Sequence, residues 1–163
     1  MANISSSLSG YLFGLLTSDT GIERYLVPDP SAVAPPAGTR PYTISIQNAA
    51  SDLAERTQSV RYPAIYVYCE KLTNALREKF STFSGSARLA VEVRSSQDRI
   101  NGIEYTLERF ADAVCDVLDQ SRGSWQDGAY YAGGYEVVYG TLKHGGKNYI
   151  QTAKITFEIE VSK

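Results

Sequence analysis

Four carboxylates, Glu104, Glu108, Asp112 and Asp116, recur at every fourth residue and so line one side of a helix. Carboxylate oxygens can hold a hard cation or move a proton. Such sites draw their oxygens from several elements, whereas one helix spreads its groups along a line. Like charges at this spacing repel by roughly 0.2–0.5 kcal/mol per pair, and Arg109 relieves part of that. The plainest reading is a solvated outer face. A face that docks on basic residues of a neighbouring subunit comes next. A small metal-dependent enzyme using the acidic face stands behind both.

The basic side chains Lys71, Arg77 and Lys79 flank an expected hairpin and could touch phosphate. Glu70 and Glu78 are interleaved with them, which dilutes the field that an electrostatic grip on DNA requires. A solvated or subunit-contacting loop is the better reading. Nucleophilic catalysis needs a nucleophile, a base and an orienting group. The one histidine, His144, sits beside Gly145 and Gly146 in an expected turn. Cys115 falls inside the acidic helix near Val114, and Cys69 is expected to end a strand; nothing places the three together. No G-x-S-x-G, G-x-x-x-x-G-K-[ST] or G-x-G-x-x-G occurs. One histidine and two distant cysteines leave a structural zinc almost without ligands. No catalytic residue, metal or cofactor is expected. The twelve tyrosines suit protein contacts, because a rigid ring buries area at low entropic cost, although strand propensity explains part of the count.

The charge balance of 16 Lys/Arg against 18 Asp/Glu argues against a globally basic nucleic-acid binder. Its distribution is uneven. Residues 61–99 hold seven Lys/Arg against four Asp/Glu, and residues 100–128 hold two against six. No run approaches the ~20 apolar residues needed to span a bilayer. The stretch Tyr11–Leu16 is short, contains Gly14 and follows no basic residue, so it reads as part of the fold and not as a signal peptide. A soluble chain made in a cytoplasm is expected.

Periodicity supplies the elements that must position these residues. Ile4, Leu8, Tyr11, Leu12, Leu15 and Leu16 predict a helix over 4–18, within an N-terminal unit 1–27. Five of the six prolines fall within 28–41, so residues 28–43 should be an extended arm or loop. Residues 44–56 suit a short helix with Ile46, Ala49, Ala50 and Leu53 inward. After Pro63, residues 64–68 alternate as a strand with Ile65 and Val67 on one face and Tyr66 and Tyr68 on the other. A strand is expected to resume at 79–83, turn at Ser84-Gly85-Ser86 and return as 88–95. There Leu89, Val91 and Val93 oppose Arg88, Glu92 and Arg94, the pattern of a sheet with one covered face. Ser95 or Ser96 is expected to cap a helix running to about Asp119, with Ile100, Ile103, Leu107, Phe110, Val114, Val117 and Leu118 as its stripe. A linker over 123–134 leads to strands at 135–142 and 149–161, joined through Gly145-Gly146. The order predicts one domain over 1–163. Its α+β core at 60–163 is a largely antiparallel sheet of about four to five strands, with one long helix and the N-terminal helix packed on it.

The pattern over about residues 60–163 resembles the tail terminator or tail completion proteins of tailed bacteriophages. The resemblance is carried by the Tyr62-Pro63-Ala64-Ile65-Tyr66-Val67 strand, a polar hairpin, and the strand from Gly85 ending in Ser95-Ser96-Gln97-Asp98-Arg99. It continues in the helix ending Ala113-Val114-Cys115-Asp116-Val117-Leu118, a Gly-Gly-Tyr-Glu-Val strand, and His144-Gly145-Gly146 leading into a long strand. It implies a mixed sheet and a structural virion protein that is not an enzyme. Such a protein forms a homo-oligomeric ring, a hexamer, in the neck. That ring caps the tail tube, ends tail assembly and docks to the head connector. The implied partners are copies of itself, the tail tube protein, a connector or adaptor, and the sheath protein where the tail contracts. DNA only passes through the lumen, and no membrane is involved. The implied location is the virion neck, assembled in the bacterial host cytoplasm. A head–tail adaptor of the same neck is the alternative. A ring needs two different, complementary patches. Glu104, Glu108, Asp112 and Asp116 of one subunit are expected to face Lys71, Arg77, Lys79, Arg88 or Arg94 of the next, with the N-terminal helix and proline arm free to clasp a neighbouring protein.

Overall fold

The computed structural model describes residues 3–18, 21–26, 45–47, 62–98, 100 and 102–163. The proline-rich segment 28–43 lies outside them. The first helix, α1 (Ile4–Thr17), buries Ile4, Leu8, Leu12 and Leu16, one residue per turn, in the main core. Those four residues are consumed inside the subunit, while Tyr11 and Leu15 of the same stripe are only partly buried. A single turn, α2 (Ile22–Tyr25), follows and buries Ile22. Where a helix over 44–56 is expected, the described part is a strand, β1 (Ser45–Gln47), paired in parallel with Ala64–Tyr66. The rest of that expected helix lies outside the described residues. The β-branched alternation of Ile44 and Ile46 is the local signal for a strand.

β2 (Ala64–Asn74) does not stop at residue 68, and no strand occupies 79–83. The reversal is a loop over 75–83, and Ser84-Gly85-Ser86 belong to the following strand, β3 (Ser84–Gln97). A bulge between Cys69 and Lys71 explains how β2 passes the polar run. Ile65, Val67 and Cys69 face the core opposite Val93, Val91 and Leu89. The extra residue then reverses the parity, so Leu72, and not Lys71, meets Ala87 on the core side. Cys69 thus lies at a mid-strand bulge instead of a strand end.

The long helix α3 (Ile103–Gln120) starts later than the serine caps suggest. Ser95, Ser96 and Gln97 stay in β3 because the last strand offers them partners at Gln151, Ile150 and Tyr149. The helix begins after Gly102, whose positive φ of 86° favours a residue without a side chain. Ile100, expected in the apolar stripe, is exposed. The remainder of the stripe is buried as expected: Ile103, Leu107, Phe110, Val114, Val117 and Leu118. The segment read as a linker contains two short strands, β4 (Gly123–Ser124) and β5 (Ala129–Tyr131), around a buried Trp125.

The expected strand over 135–142 is two pieces, β6 (Glu136–Tyr139) and β7 (Lys143–Gly145). Four steps from Tyr139 to Lys143 oppose three from Ala153 to Ile150, so one residue is extra and the ladder breaks at Gly140. Gly146 and Lys147 make the tight turn into β8 (Asn148–Ser162). Gly146 has φ 67°, as a two-residue hairpin turn demands. In β8, Ile155, Phe157, Ile159 and Val161 point into the core, as the alternation predicts. Each such burial contributes about 1.5–3 kcal/mol relative to exposure.

Among the described residues the sheet has eight strands and not four or five, in the order β1-β2-β3-β8-β5-β4, with β6 and β7 also pairing β8. The β1–β2 pairing is parallel and the others are antiparallel, so the fold is α+β with a mixed, largely antiparallel sheet. The additional strands are two to three residues long, too short to carry a period. One hydrophobic core joins α1, α2 and α3 to the inner face of the sheet. The outer face is not bare: Ala64 and Tyr66 are fully buried in a second small cluster with Tyr62 beside them.

Candidate assembly interface

The amphipathic stripe of α3 faces the sheet, so the opposite side of the helix is presented outward. Glu104, Glu108, Asp112 and Asp116 are all exposed along it. The spacing therefore identifies a real acidic face. Among the described residues, no group of three or more His, Cys, Asp or Glu side chains is placed to hold a metal ion. Residues four apart on a helix are successive along its axis and do not converge on one point.

Tyrosines border the acidic face. The Tyr105 ring is exposed, with the Arg109 guanidinium 5.8 Å from its centroid. Tyr135 donates its hydroxyl to Asp119 at 3.2 Å. Arg122 also donates to Asp119, at 3.0 Å. The field of the carboxylates registers in ionisation. Partial burial, then Asp112 and Asp119, raises the carboxyl of Asp116 above its ordinary range. Partial burial, then Asp112 and Glu108, raises the phenol of Tyr139. Sequence reasoning missed Tyr135 and Tyr139, because a tyrosine in a short edge strand looks like ordinary strand propensity.

Cys115 is buried beneath this face. Burial pushes its thiol up to about 11, and Asp112, Asp119 and Asp116 add to the rise, while a hydrogen bond with Tyr135 opposes it. A thiol raised this far keeps only about one part in a thousand as thiolate at pH 8. An aromatic disulfide reagent at pH 8 is therefore expected to leave Cys115 unmodified in the folded protein and to modify it on denaturation. Rapid labelling of Cys115 in native protein, mapped by mass spectrometry, would contradict the burial.

The five basic residues divide into two groups. Arg88 and Arg94 lie on the outer face of the sheet, away from α3, and both have carboxylate partners within the subunit. Arg88 meets Glu158 at 3.5 Å. Arg94 meets Glu92 at 3.5 Å, with its guanidinium 5.7 Å from the Tyr66 ring centroid. Glu92 also accepts from the Tyr68 hydroxyl at 2.7 Å, and Lys154 pairs with Glu70. The outer face is a ladder of matched charges. Lys71, Arg77 and Lys79 are exposed and make no ion pair among the described residues. Lys71 stands directly opposite Arg88 in the β2–β3 register, which places positive charge toward the turn end of that hairpin.

The 75–83 loop carries a feature that sequence reasoning did not find. Leu76 is 67% exposed and Phe80 fully so. Leu76 holds a positive φ of 47°, an uncommon conformation for a bulky side chain. The Asn74 side chain secures it, accepting from the N–H of Leu76 at 3.2 Å and of Ser84 at 3.1 Å. Glu78 fastens the other flank, accepting from Ser162 at 2.5 Å and Ser81 at 3.1 Å. Those two hydroxyls hold the Glu78 carboxyl below its ordinary range. The only signal in the sequence is two apolar residues inside a charged run, and strand alternation absorbs Phe80.

His144 is exposed in β7, with its ring 5.0 Å from that of Tyr149. Among the described residues, no helix is long and apolar enough to cross a membrane. No family model matches the sequence, and no curated protein matches it.

Proposed function

We propose that this protein is a structural component of a phage neck, a tail terminator that closes into a ring on the end of the tail tube and presents a docking surface to the head. The observation that carries this reading is the pair of exposed, oppositely charged surfaces at different places on one small subunit. The acidic face of α3 lies on the helical layer, and the basic residues outside the ladder of matched charges lie at the turn end of the β2–β3 hairpin. Contacts that join unlike patches propagate by rotation and form a ring where that rotation closes, whereas a two-fold dimer joins like to like. In this reading Glu104, Glu108, Asp112 and Asp116 of one subunit face Lys71, Arg77 and Lys79 of the next. Arg88 and Arg94 take a smaller part, since carboxylates of their own subunit already neutralise them.

Reversing Glu108 and Asp112 to lysine is expected to weaken ring formation, and raising ionic strength to have the same effect, because exposed pairs are screened. Sedimentation and negative-stain images, with and without tail tubes, measure both. Rings unchanged by both treatments would remove the charge pairing. Rings that decorate head connectors and ignore tube ends would move the protein to the adaptor position. A rise in melting temperature at micromolar calcium, magnesium or manganese would instead favour the metal-enzyme reading.

A further inference from the structure

We propose that the 75–83 tip is a knob that docks, on a second copy of this chain, into an aromatic cavity beside the C-terminal end of α3. The proposal rests on the self-association reading above and names the contact.

The knob is built for burial in a partner. Phe80 and Leu76 expose the two most accessible large apolar side chains among the described residues, with Arg77 and Lys79 between and beside them. Monomeric surfaces scatter single apolar residues, but a paired anchor ringed by charge is the composition of an interface centre. Its rigidity matters as much. Asn74 and Glu78 fasten the flanks, and Phe83 exchanges both backbone hydrogen bonds with Lys163, at 2.9 and 2.7 Å. Little conformational freedom is left to lose on docking. The same pins stop the tip from folding over its own subunit.

The receptor is a cavity of about 340 Å³ whose apolar wall is Tyr11, Leu15, Tyr25, Val117 and Trp125. A cavity of about 150 Å³ already accepts a benzene ring. The space therefore holds one phenylalanine ring with room for part of a leucine. Gln120, Ser121, Arg122 and Ser124 form its polar side, and Asp116 stands one turn before Gln120 on the same side of α3. The last turn of α3 contains no basic residue, so its carbonyl end attracts a docking cation. The lining guanidinium of Arg122 is engaged by Asp119, so Asp116 and the carbonyl end of the helix leave the balance of charge there negative. Knob and cavity also lie toward one end of the sheet. Glu78 bonds Ser162 at the knob, and Ser162 bonds Gly128, three residues from Trp125. Two unlike patches at one level of a subunit suit rotation about an axis.

The test places a photoreactive benzoylphenylalanine at position 80 in the full chain, mixed with isotopically labelled wild-type protein. The expected crosslink joins residue 80 to the peptide around 117–125 of the other isotopic species. Phe80→Ala is expected to weaken self-association at least about tenfold by sedimentation, while leaving the melting temperature of the subunit unchanged. Crosslinks confined to one chain, including any to its residues 27–61, would overturn the contact. So would rings that form undiminished with Phe80→Ala, and this result would leave the neck reading standing. Inter-chain crosslinks at 117–125 in a protein that never associates with tail tubes would keep the contact and sink the neck reading.

Discussion

Replacing Trp125 with alanine is expected to cost about 3–5 kcal/mol of stability, the range for removing a large buried aromatic. Trp125 is 5% exposed and stands where α1 and the end of α3 meet the sheet. Its ring centroid lies 5.0 Å from that of Tyr11 on α1, 5.7 Å from Tyr131 on β5 and 6.1 Å from Phe157 on β8. Its indole N–H donates to the carbonyl of Ser121 at 2.8 Å, just past the end of α3. Alanine would leave these rings without a common neighbour and a carbonyl without its donor. For a domain of this size the loss corresponds to a fall in melting temperature of roughly 6–20 °C. Trp125→Phe separates the two contributions, because it keeps most of the packing and loses the hydrogen bond, at about 1 kcal/mol. Thermal and urea unfolding followed by circular dichroism measure both. A Trp125→Ala variant melting within 2 °C of the parent, on the order of 1 kcal/mol or less, would show that this cluster does not hold the layers together.

Gly85→Ala should cost about 2–4 kcal/mol despite adding one methyl group to a strand. A Cβ on Gly85 would lie 1.8 Å from the carbonyl oxygen of Thr73 and 3.0 Å from the N–H nitrogen of Ala75. Both are backbone atoms, of β2 and of the residue that follows it, and neither can rotate away. Relief requires opening the register at Asn74 and Gly85 and losing the 2.9 Å hydrogen bond from Ala75 to Ser84. The damage should start at the 75–83 tip, seen as faster hydrogen exchange at Ala75 and Phe83. Gly10→Ala is the control. Nothing lies within 4 Å of a Cβ there, and the substitution in mid-helix is expected to be neutral or stabilising. Equal melting of the two variants would contradict the close approach at Gly85.

The contrast between these glycines shows what an amino-acid sequence carries and what it hides. Periodicity reports burial, so the stripes of α1 and α3 and the alternation of β3 and β8 are legible in the order of residues alone. Close approach is a tertiary property, and nothing local marks Gly85 as different from Gly10. Boundaries shift where two signals compete. Ser95 and Ser96 are good helix caps, but β8 runs long enough to keep them in a ladder. The bulge near Glu70 leaves only a phase change, Cys69 to Leu72, inside a charged segment. Of the candidate interface, the acidic half is readable because charge at four-residue spacing needs only the helix to have meaning. Which cations are matched within the subunit depends on partners up to 84 residues away, as Lys154 and Glu70 show. The apolar tip emerges only once the hairpin is known to turn at 75–83.

The pairing of β8 with four other strands fixes when this molecule can be completed. On the ribosome, β3 emerges more than fifty residues before Asn148, and β5, β6 and β7 likewise precede the strand to which each is bonded. Until residues 148–162 leave the exit tunnel, the apolar alternation of β3 has an open edge on the side β8 will fill, and such an edge can pair with another chain. Synthesis therefore delivers the organising strand after its clients, and the edge of β3 stays unpaired during that interval.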